Sequence, residues 1–255
     1  MRRIKLTIAY DGTAYCGWQR QEGCATVEET VADAIEKLTG VKPELIGASR
    51  TDAGVHALGN VAAFDTESPI PGEKFSYALN PFLPDDIRIM ESEEAPEEFH
   101  PRFDAHRKRY EYHIVTGNVC SPLASRYAAH IRGELDVEAM SRMAEYAVGT
   151  HDFTSFCAAG AQVKSKVRTI SAVTVTREKD EIVIAVEGDG FLYNMVRILA
   201  GTLIQAGLHR FAPESMQAII EGKDRALAGP TAPAKGLRLC KIRYDGAGKA
   251  EDDGE

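Results

Sequence analysis

The alternation at residues 3–10 constrains the fold most, because every second side chain from Ile4 to Tyr10 is apolar and a strand buried on one face has that period. The apolar side chains fall on one side of such a strand, and the basic and polar ones fall on the other. Residues 26–29 (Thr-Val-Glu-Glu) then have the pattern of a capping box, and apolar residues follow at helical spacing until Gly40. The chain therefore begins with a half-buried strand and one amphipathic helix.

Later segments continue this alternation between strands and single helices. Strands are predicted at residues 43–49, 61–64, 87–90, 107–116, 170–177, 182–187 and 237–244, and helices at residues 73–79, 137–148, 192–206 and 213–221. Strands joined by hairpin-like turns and separated by single helices are typical of an α+β fold with mainly antiparallel sheets. Because the two halves repeat this pattern, we expect two similar subdomains, at residues 1–105 and 106–245, with helices on the outer face.

The charge of the chain is unevenly distributed. The formal net charge is −8, but four negative charges lie in the tail at residues 246–255, which we expect to be disordered. Five glutamates lie between residues 91 and 98, which we interpret as a connector. The remainder is close to neutral and has basic clusters at Arg102, residues 107–109 and residues 164–168. This distribution permits an RNA partner without requiring one.

Several classes of protein are disfavoured. No apolar run approaches the roughly 20 residues that span a membrane, and the first residues lack the apolar core of a signal peptide. The five cysteines are scattered without a CxxC pair, so we expect small buried side chains rather than a zinc site. No glycine-rich phosphate loop is present, so we expect no nucleotide cofactor. Because the first residues look like a strand rather than a signal peptide, we expect a protein of the cytoplasm.

The segment 50–57 (Arg-Thr-Asp-Ala-Gly-Val-His-Ala) places Asp52 between a cation and a glycine, on a loop between two predicted strands. Two interpretations are open. Asp52 could bond its own backbone in an Asx-turn in which Gly54 adopts a positive φ. Alternatively, it could carry chemistry, since polar loop residues on a rigid scaffold are often functional.

Three further segments combine residue types that are unusual for a core or a surface. Residues 10–21 contain the only tryptophan, residues 107–114 combine cations with aromatic residues on a predicted strand, and residues 190–201 place Arg197 in an otherwise apolar helix. Each has an ordinary explanation when taken alone: a turn beside a core tryptophan, a solvated strand, and a buried helix with a snorkelling arginine.

Together, these segments resemble the family of bacterial-type tRNA pseudouridine synthase A. The pieces that carry the resemblance occur in the family's order, from the first strand to the last: YDGTAYCGWQ, TVEETVADAI, RTDAGVHALGNV, RYEYHI, HDFTSF, FLYNMVR and KGLRL. The chain departs from the usual family pattern at Ser49 and Asn60, where glycine and glutamine are common. Both departures retain small or polar character.

The resemblance implies an isomerase that converts uridines at positions 38, 39 and 40 of the tRNA anticodon stem-loop to pseudouridine, without a metal or cofactor. It assigns the nucleophile to Asp52 and the ion-pair partner that keeps it charged to Arg197. It also implies an RNA-binding cleft between the subdomains, and a homodimer in which one subunit grips the tRNA while the other performs the chemistry.

Three more residues take roles from the same resemblance. Tyr110 would stack on the extruded uracil and assist removal of the C5 proton, as aromatic side chains commonly hold unstacked RNA bases. Arg50 would fill the gap that the flipped nucleotide leaves. Leu237 would line the far wall of the uracil pocket.

Two alternatives belong to other classes. One is a non-catalytic RNA-binding protein on the same fold. The other is a hydrolase of small glycosides with a carboxylate nucleophile, a class that usually needs a second catalytic carboxylate. No second carboxylate stands out near Asp52 in the sequence. Whether Asp52 attacks C1′ of the sugar or C6 of the base stays open.

Overall fold

The structure is a computed structural model that describes residues 1–160 and 163–244, so the acidic tail expected at residues 246–255 lies outside the described residues. The strands are β1 (Arg2–Tyr10), β2 (Ile46–Gly47), β3 (His56–Thr66), β4 (Ile87–Ala95), β5 (Ala105–Thr116), β6 (Ala129–Ile131), β7 (Gly149–Asp152), β8 (Val167–Glu178), β9 (Glu181–Gly188) and β10 (Leu237–Tyr244). The helices are α1 (Val27–Thr39), α2 (Phe75–Leu79), α3 (Pro122–Ser125), α4 (Val137–Glu145), α5 (Met195–Gly207) and α6 (Ser215–Gly222). Among these helices, none has the length and apolar character needed to cross a membrane.

The strands form one sheet in the order β4-β1-β3-β10-β5-β9-β8-β7, with β2 also paired to β3 and β6 to β5. Most neighbours are antiparallel, which confirms the expected α+β fold with mainly antiparallel sheet. The exceptions are β6 beside β5 and β10 beside β3. Strand β10 pairs in parallel with the start of β3, through Arg238 opposite His56 and Leu239 opposite Ala57, and its other edge pairs with β5. The last strand therefore joins the strands of the two halves into one sheet.

The first strand and helix form as their residue patterns predict. Every second residue of β1 from Ile4 to Tyr10 is buried in the core, while the residues between them are partly exposed. Helix α1 begins after Thr26, whose hydroxyl accepts a hydrogen bond from the Glu29 amide at 3.4 Å. It ends at Gly40, whose φ of 78° is the left-handed conformation that commonly closes a helix.

Strand β4 is longer than predicted and includes part of the acidic run that we interpreted as a connector. Glu93 lies opposite Lys5 of β1, and their charged groups are 2.8 Å apart. Glu94 contacts Arg2 of the same neighbouring strand at 3.0 Å. Because the exposed face of β1 is basic, glutamates can continue the strand beside it, and each such surface pair contributes about 0.2–1 kcal/mol.

Other boundaries differ for local reasons. The strand predicted at residues 43–49 is reduced to β2, and helix α5 begins at Met195 rather than at residue 192 because Asn194 has a left-handed φ of 59°. The elements α3, β6 and β7 were not predicted. Each has three or four residues, which is too short to show a hydrophobic period.

Candidate active site

The turn that carries Asp52 connects β2 to β3, and backbone groups close it. The Val55 amide donates to the Asp52 carbonyl at 3.1 Å, and Gly54 has the predicted positive φ, at 75°. The turn therefore needs no hydrogen bond from the Asp52 carboxylate. That carboxylate is directed at a residue of the second half of the chain instead.

Asp52 forms an ion pair with Arg197 of α5. Arg197 Nη1 lies 3.2 Å from Asp52 Oδ2, and the two side chains are 17% and 22% exposed, respectively. Two further acceptors hold the guanidinium: Nη1 donates to Asn194 Oδ1 at 2.7 Å, and Nε donates to the Ala232 carbonyl at 2.8 Å. Arg197 therefore uses its donors inside the protein and does not snorkel to the surface.

Burial and charge act in opposite directions on Asp52. Burial disfavours the charged form and raises the pKa of the carboxyl, whereas the positive charge and the hydrogen bond of Arg197 lower it. The burial effect is larger, so the net pKa of Asp52 lies above its usual value. Arg197 thus offsets part of the cost of placing a carboxylate here.

Residues 11–18 hold the Asp52 turn from one side. The Trp18 amide donates to the Thr51 carbonyl at 3.0 Å, and the Gly54 amide donates to the Tyr15 carbonyl at 3.3 Å. The approach of the two segments is so close that a Cβ atom on Gly12 would lie 2.0 Å from the Val55 carbonyl oxygen. Glycine at this position is therefore a packing requirement of the turn.

A buried hydrogen-bond network supports the turn from below. The Tyr10 hydroxyl lies 2.7 Å from Thr51 Oγ1, directly beside Asp52 in the chain. Asn60 Nδ2 donates to the Ser49 carbonyl at 3.0 Å and to the Tyr10 hydroxyl at 3.3 Å. Sequence reasoning identified neither Tyr10 nor Asn60 as a support of Asp52. The sequence did offer one signal: the last core residue of β1 is a tyrosine, whose buried hydroxyl needs a hydrogen-bond partner.

Asp52 lies at the wall of a cavity of about 600 Å³. The cavity lining includes four of the five predicted site residues: Arg50, Asp52, Tyr110 and Leu237. Arg197 is not part of the lining, since it contacts the carboxylate from within the protein. The structure thus brings together all five predicted residues, although they come from four distant segments of the chain.

Tyr110 and Leu237 form an apolar wall of this cavity. Tyr110 is 8% exposed, and its ring meets the Phe191 ring edge-on, with centroids 5.3 Å apart. Burial raises the pKa of Tyr110 to about 12, and the negative charge of Asp52 acts in the same direction. Leu237, at the start of β10, is 5% exposed. The phenol of Tyr110 is therefore neutral at neutral pH.

Four cations also line the cavity, and we call them the cation cluster: Arg50, Arg102, Lys108 and Arg168. In the part of the chain that the structure describes, none of them lies within ion-pair distance of a carboxylate. Lys108 Nζ donates to the Ala48 carbonyl at 2.7 Å, and burial together with the Arg102 charge lowers its pKa to about 8. Burial and the charges of Arg50 and Arg168 lower the pKa of Arg102 as well. Such a cluster of like charges favours a ligand with several negative charges.

The other cations of the run 107–109 have partners elsewhere. Arg109 contacts Glu187 at 2.9 Å and Glu111 at 3.1 Å, and Arg107 lies 3.8 Å from Glu187. Successive residues of a strand point to opposite faces, so only Lys108 of this run shares the face of Tyr110. The basic cluster that the sequence shows is thus divided between two faces of the sheet.

The residues that commonly bind metals are dispersed. Within residues 1–160 and 163–244, no group of three or more histidine, cysteine, aspartate or glutamate side chains is placed to hold a metal ion. All five cysteines are unpaired. The expectation that they are buried is correct for Cys157 alone, since the other four are partly exposed.

Comparison with known proteins identifies the family. The sequence profile of the tRNA pseudouridine synthase family matches residues 6–104 and 143–245. The chain is 50% identical to tRNA pseudouridine synthase A of Acetivibrio thermocellus over 244 residues, which cover 96% of this chain and 100% of the relative. It is 51% identical to the protein of that name from Ruminiclostridium cellulolyticum, with coverage of 96% and 100%, and 49% identical to tRNA pseudouridine synthase A 2 of Clostridium tetani, with coverage of 96% and 99%. The chain belongs to the tRNA pseudouridine synthase family.

Proposed function

We propose that this enzyme isomerises uridine to pseudouridine in tRNA, at positions 38, 39 and 40 of the anticodon stem-loop, with Asp52 as the nucleophile. One observation carries the proposal: the partly buried Asp52 carboxylate lines a cavity, lies on a turn that backbone hydrogen bonds close, and forms an ion pair with Arg197. The names of the 45–51% identical relatives support tRNA as the substrate.

The reaction needs no oxidant and no added group. The bond between C1′ of the ribose and N1 of uracil breaks, the base turns, and a bond forms between C1′ and C5. C5 loses a proton and N1 gains one, so atoms and electrons balance. A carboxylate can form and release a covalent intermediate in such a sequence, at C1′ or at C6.

The other residues divide the remaining work. Arg197 favours the charged form of Asp52 against the burial that disfavours it. Tyr110 and Leu237 line the cavity, and in this proposal they form a wall against which an extruded uracil packs, while the Tyr110 phenol assists removal of the C5 proton. Arg50 is exposed and lines the cavity, with its guanidinium 3.3 Å from Gln19 Oε1, and in this proposal it fills the gap in the RNA stack.

The cation cluster contacts the phosphates around the extruded nucleotide, because phosphate oxygens supply the negative charges that the cluster lacks. In this proposal, residues 1–105 and 106–245 are the two subdomains on either side of the cleft. The first contributes Asp52 and Arg50, and the second contributes Tyr110, Leu237 and Arg197. A homodimer in the cytoplasm completes the proposal.

Tritium release from tRNA labelled at C5 of uridine tests the chemistry. The parent enzyme should release tritium, and Asp52→Ala should reduce the rate by at least about a thousandfold, as expected for loss of a nucleophile. Asp65→Ala is the matched control, since Asp65 also pairs with an arginine, Arg3, at 2.8 Å, outside the cavity. Release by Asp52→Ala at the parent rate contradicts the proposal.

Substrate position is tested with tRNAs in which uridine at 38, 39 or 40 is replaced by cytidine. We expect release to fall with each replacement and to stop when all three are replaced. A parent protein that binds tRNA tightly and releases no tritium would favour the alternative of a non-catalytic RNA-binding protein.

A further inference from the structure

Two large aromatic side chains remain exposed beside the cavity. The side chain of Phe103 is 73% exposed and follows Arg102, a member of the cation cluster. Tyr193 is 50% exposed and lines the cavity itself. Burial of an aromatic side chain is strongly favourable, so two exposed rings beside one charged cavity need a physical explanation.

The Phe103 ring is presented by a turn that is tightly hydrogen-bonded. The Asp104 carboxylate accepts from the His100 amide at 2.8 Å, and the Phe103 amide donates to the His100 carbonyl at 3.2 Å. The His100 ring lies against the Phe103 ring, with centroids 4.2 Å apart and an angle of 33° between the planes. The Arg102 guanidinium lies 5.8 Å from the Phe103 centroid. Protein groups therefore support the ring, although most of its surface faces solvent.

Tyr193 belongs to a segment that is held just as firmly. Its carbonyl accepts from the Ala158 amide at 3.1 Å. The next residue, Asn194, has a left-handed backbone and bonds Arg197, which in turn contacts Asp52. Within the described residues, no other aromatic ring packs against Tyr193. The ring thus has a fixed base and an open surface at the cavity wall.

We propose that Phe103 and Tyr193 are stacking platforms for the unpaired loop bases near the target uridine of an RNA stem-loop. Surfaces for single-stranded nucleic acid combine cations that follow the backbone with aromatic rings on which successive bases stack. Here the cation cluster supplies the first part and the two rings supply the second. The inference rests on the proposed function, and it adds a preference for unpaired loop bases over paired ones.

The test compares the affinities of variants for two RNAs: a hairpin that contains the target uridine at the junction of its stem and loop, and a fully paired duplex of equal length. Stacking of one base contributes about 1–3 kcal/mol, so Phe103→Ala and Tyr193→Ala should each weaken hairpin binding by about 5- to 150-fold. Duplex binding should stay unchanged. Phe103→Tyr and Tyr193→Phe retain a ring and should bind the hairpin like the parent.

Tyr77→Ala is the matched control. Tyr77 is 76% exposed and has a cation, Lys74 Nζ, 5.5 Å from its ring centroid, but it is not part of the cavity lining. It should leave the affinities for both RNAs unchanged. The salt dependence of hairpin binding should also be the same in the parent and the two alanine variants, because stacking releases no counterions.

Three results overturn the proposal: hairpin affinity unchanged in both alanine variants, an equal loss for hairpin and duplex, or a loss of self-association with RNA binding unchanged. The third result assigns the rings to a protein interface. Because binding is measured without turnover, these results are independent of tritium release. A parent that releases no tritium contradicts the proposed function and leaves the stacking measurement interpretable.

Discussion

The Asp52 carboxylate and the Arg197 guanidinium lie 3.2 Å apart, although 145 positions separate the two residues in the chain. Each is held independently of the other. Asp52 sits on a turn that backbone hydrogen bonds close, and Arg197 is bonded to Asn194 and to the Ala232 carbonyl. The folded scaffold therefore sets the geometry of the ion pair. Substitutions of Arg197 and of the residues that support either side chain can be tested one at a time.

Replacement of Arg197 by methionine should make Asp52 harder to ionise. Arg197 lowers the pKa of a carboxyl that burial already raises, so its removal raises that pKa further. Because the ionised form is the nucleophile, the acid limb of the pH–activity profile should move to higher pH, and kcat at neutral pH should fall at least about tenfold. Arg3→Met, which removes the partner of Asp65, is the control. Full activity with an unshifted profile would contradict the role of Arg197.

The role of Asn194 can be separated into backbone and side chain. Its φ of 59° is unfavourable for most residues, and its side chain holds Arg197 at 2.7 Å. Asn194→Gly keeps the backbone conformation and should lower kcat with little change in the free energy of unfolding. Asn194→Ala should lose the same activity and also about 1 kcal/mol of stability. Kinetics and chemical denaturation check both, and equal stability of the two variants would rule out backbone strain at this site.

Removal of the Tyr10 hydroxyl should loosen the turn beneath Asp52. Tyr10→Phe takes away the buried partner of Thr51 Oγ1 and of Asn60, and should cost about 1–2 kcal/mol of stability. Since Tyr10 and Asn60 support the turn without lining the Asp52 cavity, kcat should fall more than KM rises. Tyr244→Phe is the matched control, as it removes a hydroxyl bonded to the Pro101 carbonyl at 2.7 Å. An equal kinetic effect in both variants would show that the Tyr10 hydroxyl has no special role.

Lys108 should contribute to RNA affinity in a manner that depends on salt and pH. Lys108→Ala should lower the slope of log affinity against log salt by about 0.7–0.9, the value for one lost phosphate contact. Arg109→Ala is the matched control, since the adjacent Arg109 is paired with Glu111 and Glu187, and its slope should not change. The pKa of Lys108 is lowered to about 8, so the side chain loses its charge as the pH rises through that value. Parent affinity should then weaken above about pH 8, and Lys108→Arg should abolish that weakening.

Asp52→Asn should inactivate the enzyme and stabilise the fold at neutral pH. A carboxyl whose pKa is raised on folding stabilises the protein while it is protonated, and this contribution is lost as the pH rises through the raised value. The amide carries no charge, so the variant should be more stable than the parent at neutral pH. Acidification protonates Asp52 and should narrow the difference. Thermal unfolding at several pH values measures it, and a variant that is less stable than the parent at neutral pH would contradict this prediction.

Much of the local structure could be predicted from the sequence. The alternation of β1, the capping box of α1 and the positive φ of Gly54 depend on residues within a few positions, so nearby side chains suffice to specify them. The identities of the five predicted site residues could also be taken from the sequence, because the family resemblance rests on short motifs that occur in order along the chain. Their catalytic roles stay predictions until the experiments above are done.

The tertiary structure alone decided which segments meet. The local pattern of β10 does not specify that it lies in parallel beside β3, since the order of strands in a sheet depends on packing between distant parts of the chain. The same holds for the cation cluster, whose members come from residues 50, 102–108 and 168. It holds also for Asn194, whose left-handed backbone precedes α5 and whose side chain accepts from Arg197. The sequence by itself determined strand β1, helix α1 and the turn that carries Asp52. Long-range pairing and packing determined the pKa of Asp52, because the burial of its carboxylate and the contact with Arg197 both depend on the two halves sharing one sheet.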